Sequence, residues 1–137
     1  MEPAAIRNQQ IWRRLYEEGK ADLRYPSEVL VRMGFRLLNP TSHHRLLDFG
    51  FGTGANLIHF ARLGYDVHGV EISTHALATT KQRLRSADLT ATLGLHTPGE
   101  RLGYPDAFFD VLVAWQVLYY NDWKSLSAVV DEFCLVW

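Results

Sequence analysis

The sequence has one cysteine, Cys134, among its 137 residues, and no long apolar run. A single cysteine excludes an internal disulfide and is typical of a reducing compartment, so we expect a cytoplasmic protein. No segment approaches the ~20 apolar residues that a membrane helix requires. The first residues include Glu2 and lack the apolar centre of a signal peptide. Since the formal net charge is only −1, we expect neither nucleic acid nor a membrane as a partner.

Two kinds of catalytic site are also missing from the sequence. The histidines and the cysteine show no spacing typical of metal ligands, so no metal site is predicted. No serine stands between glycines in the manner of a hydrolase nucleophile. The residue patterns identify no catalytic residue.

What the chain does have, after residue 40, is an alternation of apolar segments with amphipathic ones. Two helices are predicted before it, over residues 4–18 and from an N-capping Ser27 to Leu38. The alternation predicts four strands, at 45–49, 65–71, 89–95 and 110–115, and three helices, at 56–63, 74–86 and 122–136. Such an alternation is typical of a parallel sheet with crossover helices. We predict one structural domain, with a helical segment at 1–40 and an α/β part at 41–137.

The strongest functional signal is the segment 46–55, Leu-Leu-Asp-Phe-Gly-Phe-Gly-Thr-Gly-Ala. An apolar run ends at Asp48, and three glycines follow at alternate positions. Glycines let a strand break into a tight turn and let the backbone approach a ligand closely. A second strand ends at Glu71, 21 residues beyond Gly50, where a carboxylate can accept hydrogen bonds from the ribose of an adenosine-containing ligand. These features predict a nucleotide-like ligand at the carboxyl ends of the strands.

Two classes of ligand satisfy this pattern. Gly50, Gly52 and Ala55 fit the dinucleotide fingerprint, so NAD or FAD stays open on the glycines alone. Asp48 argues against a dinucleotide, because its negative charge would face the negative pyrophosphate. A ligand that carries an amino group suits an acid at this position. The alternative without a ligand is a plain strand-to-helix turn with an acidic cap.

With Asp48, the three glycines and Glu71 in view, the chain resembles the class I S-adenosylmethionine-dependent methyltransferases of the small-molecule type. Their first motif is D-x-G-x-G-x-G, and their second is a strand that ends in an acid, commonly followed by a serine, here Val70-Glu71-Ile72-Ser73. Residues 102–110, Leu-Gly-Tyr-Pro-Asp-Ala-Phe-Phe-Asp, are similar to a third stretch of the family. The resemblance covers residues 12–136. It implies a Rossmann-like doubly wound parallel sheet, here partial, with strand order 3-2-1-4.

The resemblance also implies how S-adenosyl-L-methionine would be bound. Asp48 would face the methionyl amino group, Glu71 would bind the ribose hydroxyls, and Ile72 would pack on the adenine. The family's usual adenine-binding aspartate aligns with Pro98, so Gly99 and Glu100 are the nearest candidates. The expected cofactor site consists of Tyr25, Asp48, Gly50, Phe51, Gly52, Gly54, Glu71, Ile72, Gly99, Glu100 and Trp115.

Complete members of the family have seven strands, so the chain looks truncated after the fourth. Strand Val111–Trp115 would then be an apolar edge, and we expect a second copy of the chain or an exchanged element to cover it. The first functional hypothesis is methyl transfer from S-adenosylmethionine to a small-molecule acceptor, or cofactor binding by the N-terminal part of such an enzyme. A catalytically silent module that binds the cofactor or a partner is the second, and an NAD-dependent oxidoreductase is the third.

Overall fold

The structure is a computed structural model that describes residues 4–137, with side chains from Ile6 onward. Met1–Pro3 lie outside the described residues, and parts of the signal-peptide prediction and of the domain prediction fall on them. Five α-helices and four β-strands follow one another in the order α1 (Ala4–Glu17), α2 (Glu28–Leu37), β1 (Arg45–Phe49), α3 (Ala55–Arg62), β2 (Asp66–Glu71), α4 (Thr74–Ser86), β3 (Thr92–Leu95), β4 (Val111–Val113) and α5 (Trp123–Val136). A short 3-10 helix, Leu118–Tyr120, precedes α5.

The strands form one parallel sheet in the order β3-β2-β1-β4. The predicted Rossmann-like sheet, its strand order and the two N-terminal helices are therefore confirmed. Because all strands run the same way, the carboxyl ends of β1, β2, β3 and β4 lie at one edge, where an open α/β sheet binds its ligands. That edge carries the turn after β1.

Helices cover both faces of the sheet, as an apolar parallel strand requires. Alternate residues of β1 point to opposite faces, so Leu46 and Leu47 belong to two separate buried clusters. The first cluster contains residues of α3 and α4, with Phe60 at its centre and Leu30 of α2 against it. The second cluster lies below α5 and includes Val136. The turn after β1 is thus held between two packed layers.

Several element boundaries differ from the prediction. β3 begins at Thr92 rather than at residue 89, and β4 ends at Val113 rather than at Trp115. Three residues beyond the end of β4, Gln116 has a positive φ of 54°, which is incompatible with a continued extended strand. Ser27 stands at the N-cap of α2 without a capping side-chain bond, and its N–H donates instead to Asn56 Oδ1 at 2.8 Å.

β4 lies at an edge of the sheet and pairs with β1 along one side. That a second copy or an exchanged element covers its other side stays a prediction. Within residues 4–137, each helix is too short or insufficiently apolar to cross a membrane.

Candidate functional site

The turn after β1 is built by glycines with left-handed backbone angles. φ is +57° at Gly52 and +85° at Gly54, which a residue with a side chain rarely adopts. The N–H of Gly50 donates to the carbonyl of Val70 at 2.8 Å, which joins the turn to β2. Gly54 stands at the N-cap of α3, and a Cβ there would lie 2.5 Å from Thr80 Cγ2. Gly54 therefore serves the close packing of the turn on α4.

The Glu71 carboxylate holds the turn against the end of β2. Its Oε2 accepts the N–H of Gly52 at 2.8 Å, and its Oε1 accepts those of Ile72 and Ser73 at 2.8 and 3.1 Å. The side chain is 4% exposed, and burial raises its pKa while the three backbone bonds oppose that rise. A carboxylate has about four acceptor positions, so these three bonds leave one position on Oε2, and Glu71 is among the residues that line the first of the cavities described below.

Asp48 lies at the carboxyl end of β1 beside the turn, 2% exposed. Its Oδ2 is buried and has no hydrogen-bond partner among the described residues. Burial, and secondarily the nearby Glu71 carboxylate, raises the pKa of Asp48 to about 7. A buried carboxyl without a partner is unfavourable, since such a group normally pays a desolvation penalty of about 1–3 kcal/mol. Asp48 Oδ2 thus lacks a donor from residues 6–137, and a bound cationic donor would relieve this cost.

Helix α1 covers the turn with aromatic side chains. The Tyr16 hydroxyl would lie 2.7 Å from a Cβ on Gly52. Burial, then the Glu71 carboxylate, raises the pKa of Tyr16, so the hydroxyl stays protonated and can donate. Trp12 packs against Tyr16 at 5.7 Å between ring centroids and edge-on against Tyr120 at 4.8 Å. Asn8 Nδ2 also donates to the Tyr120 carbonyl, which fixes α1 to the 3-10 helix.

Two adjoining cavities of about 360 Å³ each lie along this edge of the sheet. The first runs over the glycine turn, and the second lies between the segment that follows β3 and α5. Six residues line both cavities, namely Trp12, Phe49, Ile72, His96, Val117 and Tyr120. The two spaces together are of the size that small-molecule and cofactor sites have.

Most of the residues expected at the cofactor site come together around these cavities. The first cavity is lined by Gly50, Phe51, Gly52, Glu71, Ile72 and Trp115, and the second by Ile72, Gly99 and Glu100. Asp48 lies beneath the lining, and Gly54 faces Thr80. The Phe51 ring packs over Gly69 in the first core cluster, so its side chain also belongs to the core.

Tyr25 does not join them. Its side chain is 86% exposed and lines neither cavity, because the segment after α1 turns it outward. The expectation that Tyr25 belongs to the cofactor site lacks support from this geometry. Tyr16, nine residues earlier, occupies the position over the turn instead.

Tyr16, Val117 and His96 were not among the residues expected at the cofactor site. Tyr16 was visible only as one aromatic on the apolar face of α1, and Val117 packs on Gly50, at 2.6 Å from the position of a Cβ. His96 follows β3 and lines both cavities, and burial lowers its pKa. Its position after a strand of a parallel sheet was the signal that could have identified it.

The sequence matches the family model described as "Methyltransferase domain" over residues 46–136, about two thirds of the chain. The chain belongs to the methyltransferase domain family. The match begins at β1 and ends at the last residue of α5, so it contains the glycine turn, Asp48 and Glu71. Among curated proteins, none matches the sequence of this methyltransferase domain significantly.

Solved structures share the fold of this methyltransferase domain. One is described by the words "Conversion of a Disulfide Bond into a Thioacetal Group during Echinomycin Biosynthesis". It has a TM-score of 0.75 and 22% sequence identity, and the match covers 85% of this chain and 47% of that one. The PH0226 protein from Pyrococcus horikoshii OT3 has a TM-score of 0.72 and 19% identity over 80% and 50%. An S-adenosylmethionine-dependent methyltransferase from Methanosarcina mazei has a TM-score of 0.65 and 23% identity over 82% and 53%. The chain spans about half the length of these structures.

Proposed function

We propose that this methyltransferase domain binds S-adenosyl-L-methionine across the glycine turn, for transfer of its methyl group to a small-molecule acceptor. The observation that carries the proposal is the buried Asp48 carboxyl, whose Oδ2 has no partner among the described residues at a site built for close approach of a ligand. A ligand with a positively charged amino group supplies the missing donor. Charge-assisted hydrogen bonds of this kind are about twice as strong as neutral ones.

The same carboxyl argues against a dinucleotide. A pyrophosphate bound along residues 50–54 would bring negative charge toward both Asp48 and Glu71, which lie close enough to raise the pKa of Asp48. No compensating cation faces Asp48 from its neighbours in the sheet, which are Gly69 on β2 and Val113 on β4. An ammonium and a ribose fit these two carboxylates better than a pyrophosphate does.

The other end of the ligand would lie toward the second cavity. The open acceptor position on Glu71 Oε2 would bind one ribose hydroxyl, while its remaining positions hold the backbone. Ile72 lines both cavities and would pack on the adenine, and Gly99 and Glu100 line the cavity beyond it. Glu100 would accept a hydrogen bond from the adenine amino group.

When bound, S-adenosyl-L-methionine supplies an electrophilic methyl group on a sulfonium. The chain's own residues position the reactants and exclude water, which is most of what such a transfer requires. The rings of Trp12, Tyr16 and Trp115 line the first cavity. An aromatic face near a cation stabilises it by about 0.5–2 kcal/mol. Gln116, with its unusual φ of 54°, lines the same cavity beside Trp115 and would contact the acceptor.

Calorimetric titration tests the proposal, with S-adenosylhomocysteine and NAD as the two ligands. We expect S-adenosylhomocysteine to bind and NAD to bind at least tenfold more weakly, a difference of about 1.4 kcal/mol. The matched variants are Asp48→Asn, which keeps the shape and removes the charge, and exposed Asp106→Asn as the control. Tight NAD binding without S-adenosylhomocysteine binding would overturn the proposal.

A second candidate is a catalytically silent module that binds the cofactor without transferring its methyl group. The observation that favours it is that Asp48 and Glu71 both serve binding of the cofactor, which a silent module would share with an enzyme. Gel filtration combined with a turnover assay separates the two. Turnover with any small-molecule acceptor excludes the silent module, whereas a ligand-binding species without turnover supports it. The same gel filtration reports whether the chain self-associates, which covering of β4 by a second copy requires.

A further inference from the structure

One charged side chain outside both cavities connects three parts of the chain around the site. Arg83, on α4, is 25% exposed. Its Nη2 donates to Asp22 Oδ1 at 2.6 Å, and its Nη1 donates to the carbonyls of Leu23 and Thr53 at 3.1 and 3.0 Å. Thr53 belongs to the glycine turn, whereas Asp22 and Leu23 belong to the segment that follows α1. One guanidinium thus bridges the turn and the segment that leads away from α1.

Neighbouring side chains also attach the segment after α1 to the region of the glycine turn. Thr53 Oγ1 donates to the carbonyl of Leu23 at 3.0 Å, so this carbonyl accepts from both the turn and Arg83. Four residues on, the N–H of Ser27 donates to Asn56 Oδ1 on α3. The segment 22–27 is therefore attached to the turn and to the first turn of α3 by side chains, with Arg83 making the largest number of these bonds.

The attached segment determines where the end of α1 lies. Leu15, Tyr16, Lys20, Ala21 and Leu23 all line the first cavity. The final turn of α1 continues directly into the segment, since the N–H of Lys20 still donates to the carbonyl of Leu15 at 2.9 Å. A shift of residues 22–23 would consequently move Tyr16 away from Gly52.

We propose that Arg83 is a positioning residue, which holds α1 over the glycine turn through Leu23 and Thr53 and thereby sets the affinity for the ligand. The proposal rests on the proposed function. A lysine would not replace Arg83 fully, because the planar guanidinium donates in several fixed directions at once and an ammonium does not. An exposed ion pair by itself would contribute little, about 0–1 kcal/mol to stability, and would leave ligand affinity unchanged.

The first test is the affinity for S-adenosylhomocysteine, measured well below the unfolding temperature of every variant. We expect Arg83→Gln to bind about fivefold to tenfold more weakly and Arg83→Lys to recover only part of that loss. Arg85→Gln is the matched control, because Arg85 is exposed on the same helix and its side chain makes no ion pair with any residue from 6 to 137. We expect it to bind within twofold of the wild type. Equal affinities of Arg83→Gln and the wild type would overturn the inference and leave the proposed function intact.

The second test asks whether Arg83 acts through Tyr16. If it does, Tyr16→Phe weakens binding clearly in the wild type but less than twofold in Arg83→Gln, because the hydroxyl has already lost its position. If the fold losses in affinity of Arg83→Gln and Tyr16→Phe multiply in the double variant, the inference is contradicted.

The third readout needs no ligand. Hydrogen exchange of the amides of residues 18–20 should accelerate in Arg83→Gln while the β1 amides stay protected. Equal acceleration at β1 and at residues 18–20 would mean that Arg83 stabilises the whole fold and does not position α1. Because this readout concerns the protein alone, it tests whether Arg83 positions α1 even where S-adenosylhomocysteine fails to bind the wild type, an outcome that overturns the proposed function.

Discussion

Replacing Asp48 by asparagine should change how the stability of this protein depends on pH. Burial raises the pKa of Asp48 from 3.8 to about 7, with a smaller contribution from Glu71. In the unfolded chain the carboxyl ionises near its ordinary value, so between these two pKa values the folded protein holds a proton that the unfolded chain releases. The folded state is therefore favoured most below the unfolded pKa. That advantage is lost as the pH rises through the folded pKa.

The magnitude follows from the difference between the two pKa values. About three pKa units correspond to about 4 kcal/mol in total, of which about 2.5 kcal/mol is lost between pH 5 and pH 8. Asp48→Asn does not titrate, so it avoids this loss. The difference in free energy of unfolding between variant and wild type should move by about 2.5 kcal/mol in favour of the variant over that range. Any constant effect of the new amide cancels in this comparison.

Urea denaturation of both proteins at pH 5, 6, 7 and 8 measures the difference. Asp106→Asn, in which an exposed carboxyl is removed, serves as the control and should follow the wild type. Parallel profiles of Asp48→Asn and the wild type, within about 0.5 kcal/mol, would refute the reasoning that Asp48 is a buried carboxyl without a compensating donor.

Three further predictions concern single residues. Glu71→Ala should weaken S-adenosylhomocysteine binding by about 1–3 kcal/mol in calorimetry, through lost charged hydrogen bonds; an unchanged affinity would remove Glu71 from the site. Gly54→Ala should lower the free energy of unfolding by about 2–4 kcal/mol, because φ is +85° and the new Cβ meets Thr80 at 2.5 Å. Gly99 has a similar φ, but the position that a Cβ would take there has open space around it. If Gly99→Ala lowered the free energy of unfolding as much as Gly54→Ala, the packing argument would be contradicted. Phe60→Ala, at a side chain 1% exposed, should cost about 3–5 kcal/mol in urea denaturation, and a loss below about 1 kcal/mol would contradict its central place in the core.

The fold was predictable because its signals are local. β1 and β2 each carry a short apolar run that leads to an acid, Asp48 in β1 and Glu71 in β2, and their bounds can be read from the residues themselves. Ser73 and Asp122 stand at the N-caps of α4 and α5, within one residue of the predicted helix starts, and their side chains accept the N–H groups of Ala76 and Ser125. Their effects extend over three residues, so no distant contact is needed to find them.

The lengths of β3 and β4 could not be read in the same way. Both strands lie at the edges of the sheet, where a strand continues only as far as its single neighbour pairs with it. The apolar character of residues 114 and 115 therefore predicted strand, whereas Gln116 turned the chain away from the sheet. The prediction of the site failed at Tyr25 for a similar reason. Its residue type suits a ligand site, but the exposure of its side chain depends on the path of the segment after α1.

The sequence by itself determined that a parallel sheet ends in a glycine turn flanked by Asp48 and Glu71, because spacing along a strand, a turn and a helix is encoded by neighbouring residues. Only the tertiary structure decided what those groups face. It brought Tyr16 over Gly52, Thr80 against Gly54 and Arg83 to Thr53, across 36, 26 and 30 positions of the sequence. It also buried the Oδ2 atom of Asp48 without a donor from residues 6–137. Contacts between distant residues depend on how the layers pack, and packing is a property of the whole chain.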